Sequence, residues 1–523
     1  MTAPAGRPTP PARGRPRHDR ARHQLGRTRR TRTSATGNVV GAAMVVCGPG
    51  LVLSGLVDLV EDGADTLSLL VLGVAVTGIG WLIRRAVPMP DRVPPRVALR
   101  SVVVAALAMI GISTLAYLGT GSITRLDHAL FESTAGFSTT ALTVLPDLES
   151  VDKGVLFWRA LTQWLGGFFA LATILAVLPF LGVGSPRPRE ASAALDAKHL
   201  FSAHVRYVLR RYFVLYLALT GIGAALFLTG GMGPFDAITY SLTTISTGGF
   251  ANHDGSFGHF DSDLIEWLGV AGMLLGGLSL PLAWRAVKGR EVSTLRSTEL
   301  TAYLGLIAGA TLVLTWTVDG GGDLHDRLRT AAFTATSMVS TTGHWVADWT
   351  GWPFGPQLLL LVLMGVGAMS GSMGGGFRVV RALALVSYVW RELRRQLQVR
   401  SVQVVRVGDT VIDEDTVDRM VGYQVLFIGT AAAGMAGLAL TGEDVLTSLS
   451  GAVSTLTTVG PALGDLAPGT PIVGASDATL FVLMALMASG RLELYPVLNF
   501  VVSVVTWPWR AATGRWVGRT VGR

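Results

Sequence analysis

The chain has 523 residues, half of them hydrophobic and only 15% charged, with a mean hydropathy of +0.48. No soluble domain of this size needs so apolar a composition to build a core, so the sequence reads as an integral membrane protein. The formal charge of +8 at first suggests a nucleic-acid partner, while the single cysteine, Cys47, excludes internal disulfides and cysteine-rich metal sites.

The charge is concentrated at the start of the chain. Residues 1–35 carry Arg7, Arg13, Arg15, Arg17, Arg20, Arg22, Arg27, Arg29, Arg30 and Arg32 against Asp19, a net of +9, which leaves −1 for the remainder. This Pro- and Arg-rich arm is expected to be a disordered, topogenic tail on anionic cytoplasmic lipid rather than a nucleic-acid binder. It is too long, and lacks the cleavage site, for a cleavable signal peptide.

Apolar runs of spanning length then begin near Val39, Leu67, Val97, Leu156, Phe213, Leu264, Leu300, Leu358, Val421 and Thr479. A bilayer-crossing helix takes about 20 residues, so ten spans are the economical count. Loop charges set the orientation. With the tail inside, Glu61, Asp62 and Asp65 fall outside and Arg84, Arg85, Arg92 and Arg96 inside. The alternation continues with Lys198, Arg206, Arg210 and Arg211, then Arg285, Lys288, Arg290 and Arg296, then Arg391, Arg394, Arg395 and Arg400, and finally Arg510, Arg515, Arg519 and Arg523 on the inner side. The expectation is a multi-pass plasma-membrane protein with both termini cytoplasmic.

Between the runs, a short phrase recurs four times after a stretch too short to cross: Thr134-Ala135-Gly136-Phe137, Thr247-Gly248-Gly249-Phe250, Thr341-Thr342-Gly343-His344 and Thr458-Val459-Gly460-Pro461. All four face outward on the assigned topology. The fold expected is therefore all-α: two leading helices, then four pseudo-repeats of helix, pore helix, filter and helix around one central pore. The boundaries read as a tail at 1–37, leading helices at 38–96, and repeats at 97–190, 191–292, 293–400 and 401–523. The third repeat holds an intramembrane gating loop, and the fourth includes the cytoplasmic C-terminus.

The residue types suit a monovalent cation. Irregular backbone at membrane depth is tolerated where it lines a cavity, and glycine lets successive carbonyls turn toward an axis and replace an ion's hydration shell. The stretches before the phrases open at Asp127, Asp236, Asp326 and Asp444. Their carboxyl ends aim the negative end of a helix dipole at the cavity. No carboxylate lies within the phrases, which argues against an acidic divalent filter. Asp254, Asp348 and Asp465 follow Gly249, Gly343 and Gly460 by five residues, and Asp147 follows Gly136 by eleven. They read as an outer vestibule that concentrates cations, with solvated turn residues as the competing view.

Gly365 to Gly376 read GVGAMSGSMGGG in the middle of an apolar run. So many glycines cannot hold a continuous helix, and a broken helix at that depth reads as a loop across the conduction path. Arg491 interrupts a later apolar helix and is a functional candidate by default, with Glu493 as an alternative buried partner.

The phrases FESTAGFSTT (131–140), TTISTGGFANHD (243–254), STTGHWVADW (340–349) and TTVGPALG (457–464) resemble the Trk/Ktr/HKT potassium transporters, particularly the TrkH-like membrane subunits. FWRALTQWLGG (157–167), LAVLPFLGVG (175–184), MSGSMGGGFRVVR (369–381) and SGRLELYPVL (489–498) extend the resemblance from about residue 40 to the end. It implies potassium as the transported substrate and no cofactor in the chain. It further implies a homodimer with one pore per protomer, and a cytoplasmic nucleotide-binding regulatory ring of the TrkA type. It makes Gly371, Gly374, Gly375, Gly376 and Arg491 the gate. Arg378 and Arg381, just after the glycine loop, read as more ordinary residues near the cytoplasmic end, in reach of the ring.

Two departures stand out. His344 replaces the usual aromatic, as a packing surrogate or a titratable group near the pore, with packing favoured. Ala135 replaces a residue often serine, glycine or valine, with Gly136 retained. In the plant branch serine at that glycine goes with sodium selectivity, so Gly136 leans toward potassium. A sodium-permeable or ion-coupled symporter of the same architecture is the alternative. A discontinuous-helix secondary transporter fits four like-oriented loops poorly. Scattered histidines and the lack of a phosphate-cradling loop make an enzyme the least favoured class.

Overall fold

A computed structural model describes residues 17–90, 93–177, 203–289, 297–318, 323–398, 403–408 and 410–513. Helix α1 (Arg17–Val60) packs along α2 (Thr66–Ala86). Four units follow. The first is α3 (Pro95–Thr120), α4 (Leu126–Ser138) and α5 (Lys153–Val177); the second is α6 (Ala203–Gly230), α7 (Pro234–Ile245), α8 (Asp263–Gly276) and α9 (Leu280–Gly289). The third is α10 (Thr298–Thr317), α11 (Leu324–Ser340), α12 (Phe354–Val366) and α13 (Val379–Leu397). After a hairpin of β1 (Val405–Val407) and β2 (Thr410–Ile412) comes the fourth: α14 (Glu414–Leu440), α15 (Val445–Leu456), α16 (Asp477–Arg491) and α17 (Leu494–Thr513).

Among the described residues seven helices, in α1, α2, α3, α5, α6, α10 and α14, are long and apolar enough to cross a membrane. The pair α8 and α9 passes the same test together but bends by 93° at its break. Of the remaining two of the ten expected spans, α12 is a short apolar helix that ends at Val366, and α16 is a short helix that ends at Arg491. Small residues let α1 and α2 approach closely: a β-carbon on Gly73 would lie 2.7 Å from the Val52 amide nitrogen.

The tail expectation is corrected in part. α1 is already helical at Arg17, because Pro16 is followed by no proline until Pro49, and Arg and Leu are good helix formers. Arg7, Arg13 and Arg15 of the tail lie outside the described residues, as do Arg92, Lys198, Arg290, Arg296, Arg400, Arg515, Arg519 and Arg523 of the charged loops.

The four short helices α4, α7, α11 and α15 are buried almost throughout their C-terminal halves. Asp127 and Asp236 sit in first turns, while Asp323 and Asp444 cap α11 and α15 by accepting from the amides of Asp326 and Thr447.

Candidate ion pathway

The ends of the four short helices are closed by one repeated geometry. Thr139, Thr247, Thr341 and Thr458 have φ of 55°, 54°, 59° and 60°. Their amides donate to the carbonyls of Gly136, Thr244, Met338 and Thr455 at 3.0, 3.1, 3.2 and 3.2 Å. The next amides, of Thr140, Gly248, Thr342 and Val459, donate to Ala135, Thr243, Ser337 and Ser454 at 2.9, 2.7, 2.9 and 2.9 Å. A β-branched residue in the left-handed region is strained, and four at equivalent places mark a functional constraint.

This closure fixes the register and corrects the first phrase. Thr134, Ala135, Gly136 and Phe137 lie inside α4, one turn too early. The non-helical stretch equivalent to the other three phrases is Thr139-Thr140-Ala141-Leu142. Gly136 serves packing: a β-carbon there would lie 2.3 Å from the Thr162 hydroxyl on α5. The repeated Ser-Thr-Thr, at 138–140 and 340–342, is the signal in the sequence that identifies the true register.

The four stretches meet. Gly249, Gly343 and Gly460 have φ of 78°, 80° and 110°, whereas Ala141 has no positive φ. A β-carbon on Gly249 would fall 2.6 Å from that of Ala141 and 2.0 Å from the Thr342 carbonyl oxygen; on Gly343 it would fall 2.8 Å from the Ala141 β-carbon and 2.2 Å from the Val459 oxygen. The Ala141 amide donates to the Val459 carbonyl at 3.1 Å. Only glycine fits at the other three places around this one methyl.

Buried polar groups brace the loops from behind. Glu132 and Arg159 form an ion pair (Nε to Oε1, 2.8 Å), and Arg159 also donates to the Ala251 carbonyl while its guanidinium lies 4.3 Å from the Phe250 ring centre. Gln163 donates to the Gly248 carbonyl at 2.8 Å and accepts from the Phe250 amide at 2.9 Å. Ser337 donates to the His344 carbonyl and Ser454 to that of Pro461, equivalent bonds in the third and fourth units. None of these braces was singled out in the sequence, because serines and a lone Gln carry no local pattern. His344 is fully buried behind the third loop, beside Tyr240 and Phe257 and within reach of the Thr244 hydroxyl at 3.1 Å.

A cleft beside the four loops is lined by Ala141, Gly249, Gly343, Pro461, His253 and Asp254, among others. Of the three vestibule aspartates the structure brings only Asp254 to it, with Oδ1 accepting from the Leu148 amide at 3.1 Å. Asp348 borders a separate cavity with Arg327 and Trp352 and caps a turn at Thr350, and the Asp465 amide is bonded to the Thr447 hydroxyl. His253 lies 3.4 Å from Asp236 and 3.5 Å from Glu149, and Asp236 raises its pKa above the usual value. The ligand atoms of Glu149, His253 and His259 lie within 4.8 Å of one another, but the two rings stack with 1° between their planes. No single metal lies in both ring planes, so His253 reads as the partner of Asp236 and Glu149, stacked on His259, rather than as part of a metal centre.

Below the loops, residues 367–378 run without helix between α12 and α13. The Gly375 amide donates to the Thr341 hydroxyl at 2.7 Å, and a β-carbon on Gly375 would lie 2.4 Å from both the Thr457 carbonyl and the Thr458 hydroxyl. A β-carbon on Gly374 would meet the Ser340 carbonyl at 2.8 Å. The Gly371 carbonyl accepts from the Leu280 amide at the α8–α9 bend, and Gly376 has φ 76°. Arg491 donates from Nη1 to the Met373 carbonyl at 2.8 Å, while its Nε and Nη2 are buried with no hydrogen bond among the described residues. Glu493 is not its partner. That carboxylate holds Arg381 at 3.3 Å and Arg378 at 3.6 Å, and accepts from the Tyr423 hydroxyl at 2.7 Å. Arg378 and Arg381, expected near the cytoplasmic end, are thus buried beside the loop.

The cation transport protein family model TrkH matches residues 70–318 and 320–506. The chain is 30% identical over 453 residues to the Trk system potassium uptake protein TrkI of Halomonas elongata, covering 85% of this chain and 91% of that one. It is 31% identical over 380 residues to the Trk system potassium uptake protein TrkH of Vibrio parahaemolyticus, covering 71% and 77%. The crystal structure of the potassium transporter TrkH from the same organism superimposes with a TM-score of 0.82 at 26% identity, over 91% of this chain and 99% of that one. With four like-closed loops meeting over a glycine-rich break in a multi-pass membrane protein, these similarities place the chain in the TrkH family of cation transport proteins.

Proposed function

We propose that this chain takes up potassium across the plasma membrane, through a filter formed by residues 139–142, 247–250, 341–344 and 458–461. The observation that carries the reading is the fourfold left-handed closure, which delivers four non-helical backbone stretches, braced from behind, to one place among the membrane-crossing helices. A dehydrated monovalent cation is the cargo such oxygens suit, and no carboxylate lies within the stretches. The Thr139 and Thr458 hydroxyls, buried and without a hydrogen bond among the described residues, are further acceptors on this path.

The loop at 367–378 is the gate in its closed position, with Gly374 and Gly375 beneath the filter and Arg491 holding Met373 from the side. Asp254, with Asp147 and Glu149 near it, forms the outer vestibule. The positive loops, including Arg84, Arg85, Arg210, Arg211, Arg285, Lys288, Arg394 and Arg395, face the cytoplasm. The working assembly is a homodimer with a nucleotide-binding regulatory ring of the TrkA type on that face. The Trk system names of the relatives support a membrane subunit that works with partners of such a system.

The test is ion flux in proteoliposomes with and without the regulatory ring, comparing potassium, rubidium and sodium. Potassium and rubidium flux above sodium is expected, with loss of flux in Gly343→Ala, whose methyl would collide with the Val459 carbonyl. Sodium flux equal to or above potassium would overturn the potassium assignment, and no flux of any of the three with the ring present would overturn the uptake reading.

A further inference from the structure

The glycine loop does not rest on the filter stretches alone. The break between α8 and α9 holds it as well: the Leu280 amide donates to the Gly371 carbonyl at 3.0 Å, and the Met369 amide donates to the Gly277 carbonyl at 3.3 Å. A β-carbon on Gly371 would lie 3.2 Å from the Pro281 ring. Because α9 leaves α8 at 93°, a spanning α8 puts α9 close to the membrane plane. There α9 packs on α6, and the two helices form a basic and aromatic corner. The Arg211 guanidinium carbon lies 3.7 Å from the Tyr207 ring centre and 5.5 Å from that of Trp284, so two rings hold the cation in place. Arg210 is exposed beside it on α6, and Lys288 stands one turn beyond Trp284 on α9, next to Val287, which is 70% exposed. Neither helix contains an acidic residue, and Arg210, Arg211 and Lys288 make no ion pair among the described residues.

We infer that this corner binds the phosphate headgroup of an anionic phospholipid in the cytoplasmic leaflet, and that the bound lipid steadies the α8–α9 break and so favours the closed gate. The inference rests on the gate and the orientation proposed above. A guanidinium whose face is stacked on aromatic rings keeps its N–H edge for donation, and that edge matches the paired oxygens of a phosphate. A lipid is favoured over a soluble anion because the phosphate site adjoins exposed apolar surface on a helix lying along the membrane, where acyl chains run. A headgroup shared by Arg211 on α6 and Lys288 on α9 ties the two helices together. The other end of α9 carries the bond to Gly371, so fixing α9 removes freedom that the loop needs in order to swing aside.

The experiment compares full-length wild type, Lys288→Gln, the double variant Arg211→Gln with Lys288→Gln, and a control, Arg84→Gln with Arg85→Gln, which removes two charges from the end of α2. Thermal unfolding is followed in detergent with added phosphatidylglycerol, phosphatidylcholine or inorganic phosphate. Phosphatidylglycerol is expected to raise the unfolding temperature of wild type and control above the value in phosphatidylcholine, less so in Lys288→Gln and not in the double variant. Lys288 is exposed, so its single variant reads the same shift if the double variant does not fold. Partner-independent rubidium flux is then measured in vesicles of phosphatidylcholine alone or mixed with phosphatidylglycerol. The anionic lipid is expected to lower wild-type flux about fivefold, with no such drop in the double variant. Surface attraction of the cation acts in the opposite direction, so a drop reports the gate. An equal phosphatidylglycerol shift in wild type and both Lys288 variants would overturn the site, and the same shift from inorganic phosphate would overturn the lipid as its occupant. Flux indifferent to the lipid would overturn the link to the gate. Absence of flux in every vesicle, with and without the regulatory ring, would overturn the uptake reading and leave the lipid site to be decided by the unfolding shifts.

Discussion

A carboxylate and a guanidinium removed from water lose hydration that only excellent geometry and further hydrogen bonds offset. Glu132 and Arg159, both fully buried, meet that condition behind the first loop. The carboxylate accepts from Arg159, from the Thr143 hydroxyl and from the Val144 amide, and the guanidinium reaches across to the second loop at Ala251. The pair therefore sets the spacing of two quadrants. Glu132→Gln leaves the guanidinium without a counter-charge and is expected to destabilise the fold by about 3 kcal/mol, read by chemical unfolding in detergent. An unfolding midpoint equal to wild type would refute the strut. At the cleft beside the loops, His253 faces Asp236 and Glu149, with Asp147, Asp254 and His259 beside them. Because its folded pKa is raised, its contribution to stability is complete below about pH 6.5 and fades as pH rises through the raised value. Wild type should lose thermal stability from pH 6 to pH 9 more steeply than His253→Gln, and parallel curves would dismiss the contact.

At the scale of elements, the gate proposed above rests on a steric fit between the glycine loop and the carboxyl ends of α11 and α15. Gly375→Ala places a methyl against the Thr457 carbonyl and the Thr458 hydroxyl, so the loop cannot seat under the filter. Partner-independent rubidium flux is expected to rise at least about tenfold, as it would if about 1.4 kcal/mol of closure were lost; unchanged flux would place the barrier elsewhere. Much of this architecture was legible beforehand. Hydropathy gave the long helices, because each must satisfy its own backbone in lipid, and the run of glycines at 371–376 exposed the broken helix. The first filter stretch was not legible as assigned. Thr134-Ala135-Gly136-Phe137 imitates the motif, but its glycine answers a helix-packing demand at Thr162, and pattern alone does not distinguish a glycine needed for φ from one needed for space. The polar braces at Gln163, Ser337 and Ser454 escaped for a related reason: their partners are backbone atoms brought close only by the fold. The same holds for Glu493, which lies two residues from Arg491 in sequence but pairs with α13.

Over the whole molecule, the placement of charge along the chain matters more than its sum. The first 35 residues carry a net +9, while the rest of the chain carries a net −1 and keeps Asp147, Glu149 and Asp254 together near the cleft that borders the loops. On the proposed pathway a cation approaching that cleft meets carboxylates before it meets the filter, and their field would raise its local concentration and entry rate. The effect is long-ranged only in dilute salt, since screening shortens it to about 10 Å at 0.1 M. His253 is the counterweight: once protonated, it places a positive charge among the same carboxylates and reduces the attraction. Asp254→Asn should therefore lower potassium uptake about twofold to threefold at 10 mM ionic strength and pH 8, with a smaller loss at pH 6 and little at 0.3 M salt. Initial uptake rates at saturating and limiting potassium separate the readings. A loss confined to limiting potassium that vanishes with salt fits capture at the mouth, whereas a loss at saturating potassium that persists in salt would make Asp254 a structural tether to Leu148 instead.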